Sequence, residues 1–207
     1  MYVRFMNSFL TALAIVLIVA SSSSAGIFSP EGDRVDLTQS LTLEKYMMTG
    51  TALDIEMALE RLDSLKVSDF FSDAVKRVDT PVTILMIGMM YCPDCNIAFA
   101  YMEAMAKLNP LITSRYFPRD PTPGARDFMT QRTGVVRTPQ IFIVAPDGVV
   151  LDGAYVETPS NVTAMLAAAA TDEQKKSIFA DFRSGRYDED VERDLVSLIE
   201  HALRGNR

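Results

Sequence analysis

The segment Met90-Tyr91-Cys92-Pro93-Asp94-Cys95 constrains this chain more than any other feature. It holds the only two cysteines among 207 residues, spaced C-x-x-C. The apolar run Val82-Thr83-Ile84-Leu85-Met86-Ile87 precedes it, and a helical pattern follows. A strand that delivers a C-x-x-C to the start of a helix sets up a dithiol for disulfide exchange. Unpaired backbone N–H groups and the helix dipole favour a thiolate at the first cysteine. The thiolate is the nucleophile, so Cys92 is the expected attacking group. Cys95, one turn along, is placed to resolve the mixed disulfide.

Competing readings of the pair weaken on chemical grounds. Zinc needs more ligands than two thiolates. The sole histidine, His201, lies near the chain end, and there is no third cysteine. Neither a metal nor another cofactor is therefore expected. Copper delivery is disfavoured because imidazole normally completes such sites. An inert structural disulfide stays open, although a bridge closing so short a loop constrains the unfolded chain little. Two unrelated buried thiols would be unusual in a chain that meets an oxidising compartment.

That compartment is inferred from residues 1–25. Arg4 gives a positive n-region, and residues 9–20 form an apolar stretch. Ser21 to Ser24 and Ala25 supply small residues for cleavage. The pattern is that of a secretory signal, and the apolar run is shorter than the roughly 20 residues of a spanning helix. A periplasmic or secreted protein is expected, with no stable membrane insertion after cleavage. The mature chain of about 180 residues suffices for one domain with a substantial core. The whole chain has 20 basic and 27 acidic residues without a basic cluster, which argues against nucleic acid as a partner.

Residues 26–34, with Gly26, Pro30 and Gly32, read as a flexible leader to a single domain over 35–207. Helical extensions are expected at 41–78 and 172–204, around a core at about 80–170. In the first extension, helical periodicity runs from Leu41 to Leu65 and is divided near Gly50. A further short helix spans 67–78, with Phe70, Phe71, Ala74 and Val78 facing inward. Residues 82–90 read as a strand buried on both faces. A helix at 95–108 follows, with Pro93 suited to its first turn and Asn109-Pro110 ending it. Then come a strand at 111–117, a proline-rich loop, and a helix at 125–132 ended by Gly134. Strands at 140–144 and 149–151 are joined by a turn at Asp147-Gly148. Helices are expected at 160–170, 172–182 and 188–203.

These features together resemble the thioredoxin superfamily. The residues that carry the resemblance are Cys92-Pro93-Asp94-Cys95 at a strand-to-helix junction, Thr138-Pro139 opening the next core strand, and the Pro146-Asp147-Gly148 turn. The likeness implies an α/β, thioredoxin-like fold: a central mixed β-sheet flanked by helices, with additional helices at both ends. It also implies a cis bond before Pro139, with Thr138 presenting its backbone to a substrate peptide. Tyr91, Pro93, Asp94 and Arg137 complete the expected substrate groove. The segments Leu43-Glu44-Lys45-Tyr46, Phe117-Pro118-Arg119-Asp120 and Phe182-Arg183-Ser184-Gly185-Arg186-Tyr187-Asp188 resemble a bacterial thioredoxin-like group with helical extensions.

The chain also departs from that family. Tyr91 stands where tryptophan is usual, and Met86 stands where a buried aspartate helps deprotonate the second cysteine. An apolar side chain cannot relay a proton, so either water or another acid, such as Asp94, serves, or resolution of the mixed disulfide is slower. Asp94 within the motif is expected to raise the Cys92 thiol by like-charge repulsion, with Arg137 as a partial offset. The expected activity is thiol–disulfide oxidoreduction, leaning towards reduction of specific client disulfides. Its partners would be client thiols or disulfides and a separate redox partner. The alternative is a peptide-binding or chaperone module that keeps the dithiol as a structural bridge.

Overall fold

The computed structural model describes residues 26–205. Four strands form one mixed sheet in the order β2-β1-β3-β4. They are β1 (Val82–Gly88), β2 (Ile112–Pro118), β3 (Gln140–Val144) and β4 (Tyr155–Val156). β1 runs parallel to β2 and antiparallel to β3, and β3 pairs antiparallel with β4. The helices are α1 (Leu43–Met47), α2 (Ala52–Ser64), α3 (Asp69–Lys76), α4 (Pro93–Leu108), α5 (Ala125–Thr133), α6 (Ser160–Ala168), α7 (Asp172–Arg183) and α8 (Asp188–Arg204).

β1 is buried along its whole length, and its side chains alternate between two apolar layers. Val82, Ile84 and Met86 join the larger layer with α4 and the terminal helices. Leu85 and Ile87 face the smaller layer, which contains Phe117, Phe128, Phe142 and Val35. The period of two explains why a continuous apolar run marks a central strand covered on both sides. Ending this strand at Gly88, short of the expected residue 90, frees Met89 to Tyr91 to turn towards the next helix.

The extensions share the larger core. Tyr46, Ala58, Phe71, Val191, Leu195 and Ile199 pack in the same cluster as Phe99 and Met102 of α4. Polar clamps join the extensions to one another. Buried Glu192 of α8 accepts hydrogen bonds from the backbone N–H of Ser68, at 2.9 Å, and from the Ser68 hydroxyl. Arg61 of α2 meets Asp188 at 2.7 Å. Asn109, which closes α4, donates from its amide to the carbonyls of Val75 and Val78, both at 2.9 Å.

Several boundaries differ from the sequence expectations. The flexible leader is instead held in place: Phe28 pairs with Val35, and Arg34 with Val149, in isolated bridges. Phe28 also stacks on Phe128, with ring centroids 4.5 Å apart. Residues 149–151 contribute isolated bridges, Arg34–Val149 and Val144–Val150, rather than a strand, and the edge strand is β4. Gly50 does divide the first helical stretch, which shortens to α1 and α2. Phe70 faces outward, because three-residue spacing places only Phe71, Ala74 and Val75 of α3 inside. Leu53, Met57 and Leu59 of α2 are exposed too, so that stripe is wider than the face it buries. The secretory pattern of residues 1–25 lies outside the described residues.

Candidate functional site

Cys92 caps α4 in extended conformation, and Pro93 occupies the first helical turn. Proline suits that position because its missing N–H would have no partner there. Cys92 is half-buried, whereas Cys95 is fully buried against the core. This asymmetry gives the two thiols different chemistry. The Cys92 thiol is lowered to about 6, chiefly by a hydrogen bond from the Cys95 thiol. The Cys95 backbone N–H and the Thr138 hydroxyl act in the same direction, against burial and the Asp94 charge. Burial pushes the Cys95 thiol well up, and the neighbouring Cys92 adds to that effect. Its sulfur accepts a hydrogen bond from the backbone N–H of Met89 at 3.5 Å.

The Thr138–Pro139 peptide bond is cis. Thr138 lies directly over Cys92: Cys92 Sγ donates to the Thr138 carbonyl at 3.7 Å, and Thr138 Oγ1 donates to Cys92 Sγ at 3.8 Å. Pro139 is buried, while Tyr91 and Pro93 are exposed beside the dithiol. Cys92, Thr138 and Pro139 are thus brought together from two distant segments, and Tyr91, 60% exposed, stands at the margin.

Two expectations about charge are corrected. Asp94 does not face the groove: it is only 5% exposed and turns towards α7. Its partner is Arg183, whose Nε donates to Oδ1 at 2.7 Å and Nη2 to Oδ2 at 2.9 Å. The Arg183 guanidinium also lies over the Phe179 ring, 5.0 Å from its centroid. Arg137 instead pairs with Glu157 at 3.1 Å, so it does not offset Asp94. A bidentate guanidinium also leaves the Asp94 carboxylate poorly free to relay a proton to or from Cys95. A cleft of about 410 Å³ opens beside Arg137 and Glu157, with Leu166, Lys175 and Phe179 also lining it.

Arg183 was not identifiable from spacing, because it lies 89 residues from Asp94. The segment around it stood out as a helical extension, yet nothing in its pattern pointed to the dithiol. Nothing in the sequence pattern places Gly88 or Tyr46 beside the dithiol either. A Cβ built on Gly88 would lie 3.0 Å from Cys95 Sγ and 3.2 Å from both Met86 Cε and Tyr46 Oη. The absence of a side chain at Gly88 therefore makes room for the buried sulfur.

The fold and the cysteine pair agree with what comparison with known proteins finds. The structure is similar to that of a protein of unknown function from Pseudomonas aeruginosa, with a TM-score of 0.64 and 21% identity over 79% of this chain and 94% of that one. It is also similar to an HIV epitope scaffold, with a TM-score of 0.63 and 20% identity over the same shares. At such identities these likenesses concern the fold. No curated protein is a significant match. The thioredoxin family model matches residues 40–174, a span that contains the cysteine pair, the cis-proline loop and all four strands. By that match over most of its length, the chain belongs to the thioredoxin family.

Proposed function

We propose that this protein is a thiol–disulfide oxidoreductase that reduces client disulfides outside the cytoplasm, with Cys92 as nucleophile and Cys95 as resolving thiol. The observation that carries the reading is the pairing of a half-buried Cys92, lowered to about 6, with a buried Cys95 at the start of α4. At neutral pH Cys92 is mostly thiolate, while Cys95 keeps its proton until it is needed. The value favours the reducing direction. Nucleophiles of reducing thioredoxins titrate near about 7 and those of strongly oxidising relatives near about 3.5. The preference for reduction rests on this value rather than on Asp94, whose carboxylate is paired with Arg183.

A client chain would pair with the Thr138 backbone as an added strand, which brings its disulfide over Cys92. Tyr91 and Pro93 would form one margin of that groove, and Arg137 with Glu157 the other. Extracytoplasmic location is supported by the secretory pattern of residues 1–25. In an oxidising compartment a reductase needs a dedicated electron donor, so a second redox protein is part of the proposal.

Glutathione equilibration of the Cys92/Cys95 pair, together with insulin-reduction turnover, tests the reading. A potential near that of thioredoxin, about −270 mV, with turnover is expected. A pair that stays oxidised under strong reductant and shows no turnover would support the peptide-binding alternative.

A further inference from the structure

Resolution of a mixed disulfide demands that Cys95 lose its proton inside the core, where burial resists that loss. Around its sulfur the chain offers the backbone N–H of Met89 at 3.5 Å and the apolar terminus of Met86. It also offers one hydroxyl from outside the active-site loops. Tyr46 of α1 is 1% exposed, and its Oη has no hydrogen-bond partner among the described residues. A buried polar group without a partner is costly, and such groups call for an explanation. Cys95 Sγ and Tyr46 Oη lie 3.0 and 3.2 Å from the Cβ position of Gly88, which bounds their separation at about 6 Å; the hydroxyl is not bonded to that sulfur in the resting pair.

The Tyr46 ring is not placed by chance. It stacks on Tyr116, with centroids 4.8 Å apart and an interplanar angle of 16°. Tyr116 in turn donates its hydroxyl to Glu103. The chain entering α1 is fixed to β2 by paired backbone bonds between Leu41 and Tyr116, at 2.8 and 3.0 Å. The Thr138 hydroxyl, the other protic side chain near the pair, bonds Cys92 and acts on Cys95 only as the smallest of its influences.

We propose that Tyr46 Oη is the hydrogen-bond donor that stabilises the Cys95 thiolate during resolution, an inference that rests on the exchange reaction proposed above. Cys95 gives its proton to solvent base, and its Sγ attacks Cys92 Sγ. The Cys92–Cys95 bond forms as the bond from Cys92 to the client sulfur breaks. The client leaves as a thiolate and takes a proton from water. The pair is oxidised by two electrons and the client disulfide is reduced by two. Tyr46 keeps its proton throughout, as expected for a phenol that burial and the adjacent cysteines push well up.

Tyr46→Phe removes only the oxygen and keeps the stacking ring. With Ellman's disulfide as the probe, the reduced full chain should release one thiolate as Cys92 attacks and a second as Cys95 resolves. In Tyr46→Phe the first phase should keep its rate, and the second should slow about tenfold, the scale of one hydrogen bond to a charged group. In a Cys92→Ser background, Tyr46→Phe should also raise the Cys95 thiol titration. The melting temperature should not fall, because the hydroxyl has no partner to lose. A second phase within twofold of the parent, or an unmoved Cys95 titration, overturns the role of Tyr46. Failure of the first phase in the parent chain would instead overturn the exchange reaction itself. The Cys95 titration reads the role of Tyr46 independently of that outcome.

Discussion

Asp94 and Arg183 are joined by two parallel hydrogen bonds, at 2.7 and 2.9 Å, which tie the redox motif to the end of α7. The carboxylate is buried, and the guanidinium side chain is 43% exposed. A residue of the C-terminal extension thereby sets the charge balance beside Cys92. Arg183→Gln leaves a buried negative charge next to Cys92, so its thiol should rise above about 6. Asp94→Asn removes that charge and leaves the cation, so the thiol should fall and the couple become more oxidising. Arg183→Gln should also lose about 1–2 kcal/mol of stability, less than a fully buried pair because solvent reaches the guanidinium. Iodoacetamide alkylation rates against pH would show both shifts. Shifts of the same sign in the two variants would mean that charge does not tune this site.

The two cysteines should be separable by trapping. Cys95→Ser keeps the attacking thiolate but cannot resolve, so mixed disulfides with client proteins should accumulate. Cys92→Ser leaves only a buried thiol with a raised pKa, which should trap little. Non-reducing gels of the two variants exposed to the same extract provide the comparison. Equal trapping would contradict the assigned roles.

The reduced protein should gain stability as pH rises from about 6 to about 8. The folded Cys92 thiol, at about 6, lies below its unfolded value of about 8.5. Between these values the unfolded chain binds more protons, so stability rises with pH. The contribution is fully present above the unfolded value and lost as pH falls through about 6. Above about 8.5 the raised Cys95 thiol acts in the opposite sense. The oxidised protein has neither thiol, so the difference in urea midpoint between the two forms isolates the effect. A difference that stays constant from pH 6 to 8 would argue against a depressed Cys92 thiol.

Gly88→Ala should disturb Cys95 from below. The added methyl would stand 3.0 Å from Cys95 Sγ and 3.2 Å from Tyr46 Oη, closer than packed carbon atoms normally approach. Overpacking of this kind costs about 1–3 kcal/mol. The urea midpoint should fall, and the Cys95 titration should move while the Thr138 contact with Cys92 remains.

What was legible in the sequence follows from how far each signal reaches along the chain. β1, α4 and the Thr138-Pro139 loop each carry a local signature: an apolar run, a capped C-x-x-C, or an X-Pro before a strand. Their assembly was legible because the intervals resemble those of a known family. The partner of Asp94 was not, since the choice between Arg137 and Arg183 depends on how α7 packs back over α4. Residues 149–151 have strand composition, but only isolated bridges, Val149 to Arg34 and Val150 to Val144, form there. The outward turn of Phe70 was hidden because a short amphipathic helix with adjacent phenylalanines can bury only one of them.

The leader shows the same limit and yields a test. Gly26, Pro30 and Gly32 suggest mobility, yet Phe28 stacks on Phe128 and meets the edge of Phe117 at a centroid distance of 5.3 Å. The backbone closes around it through Asp36 N–H to the Ile27 carbonyl at 2.8 Å and Val35 N–H to the Gly148 carbonyl at 2.8 Å. An aromatic ring in such contacts outweighs the local preference for a loose chain. Phe28→Ala should therefore cost about 2 kcal/mol, below the 3–5 of a fully buried phenylalanine because Phe28 is partly exposed. The smaller apolar layer it joins contains Leu85 and Ile87 but not Cys95, which packs in the larger layer. Urea unfolding should thus show the loss while the alkylation midpoint of Cys92 stays near 6. An unchanged urea midpoint would show that residues 26–34 contribute nothing to the fold, as their composition alone suggests.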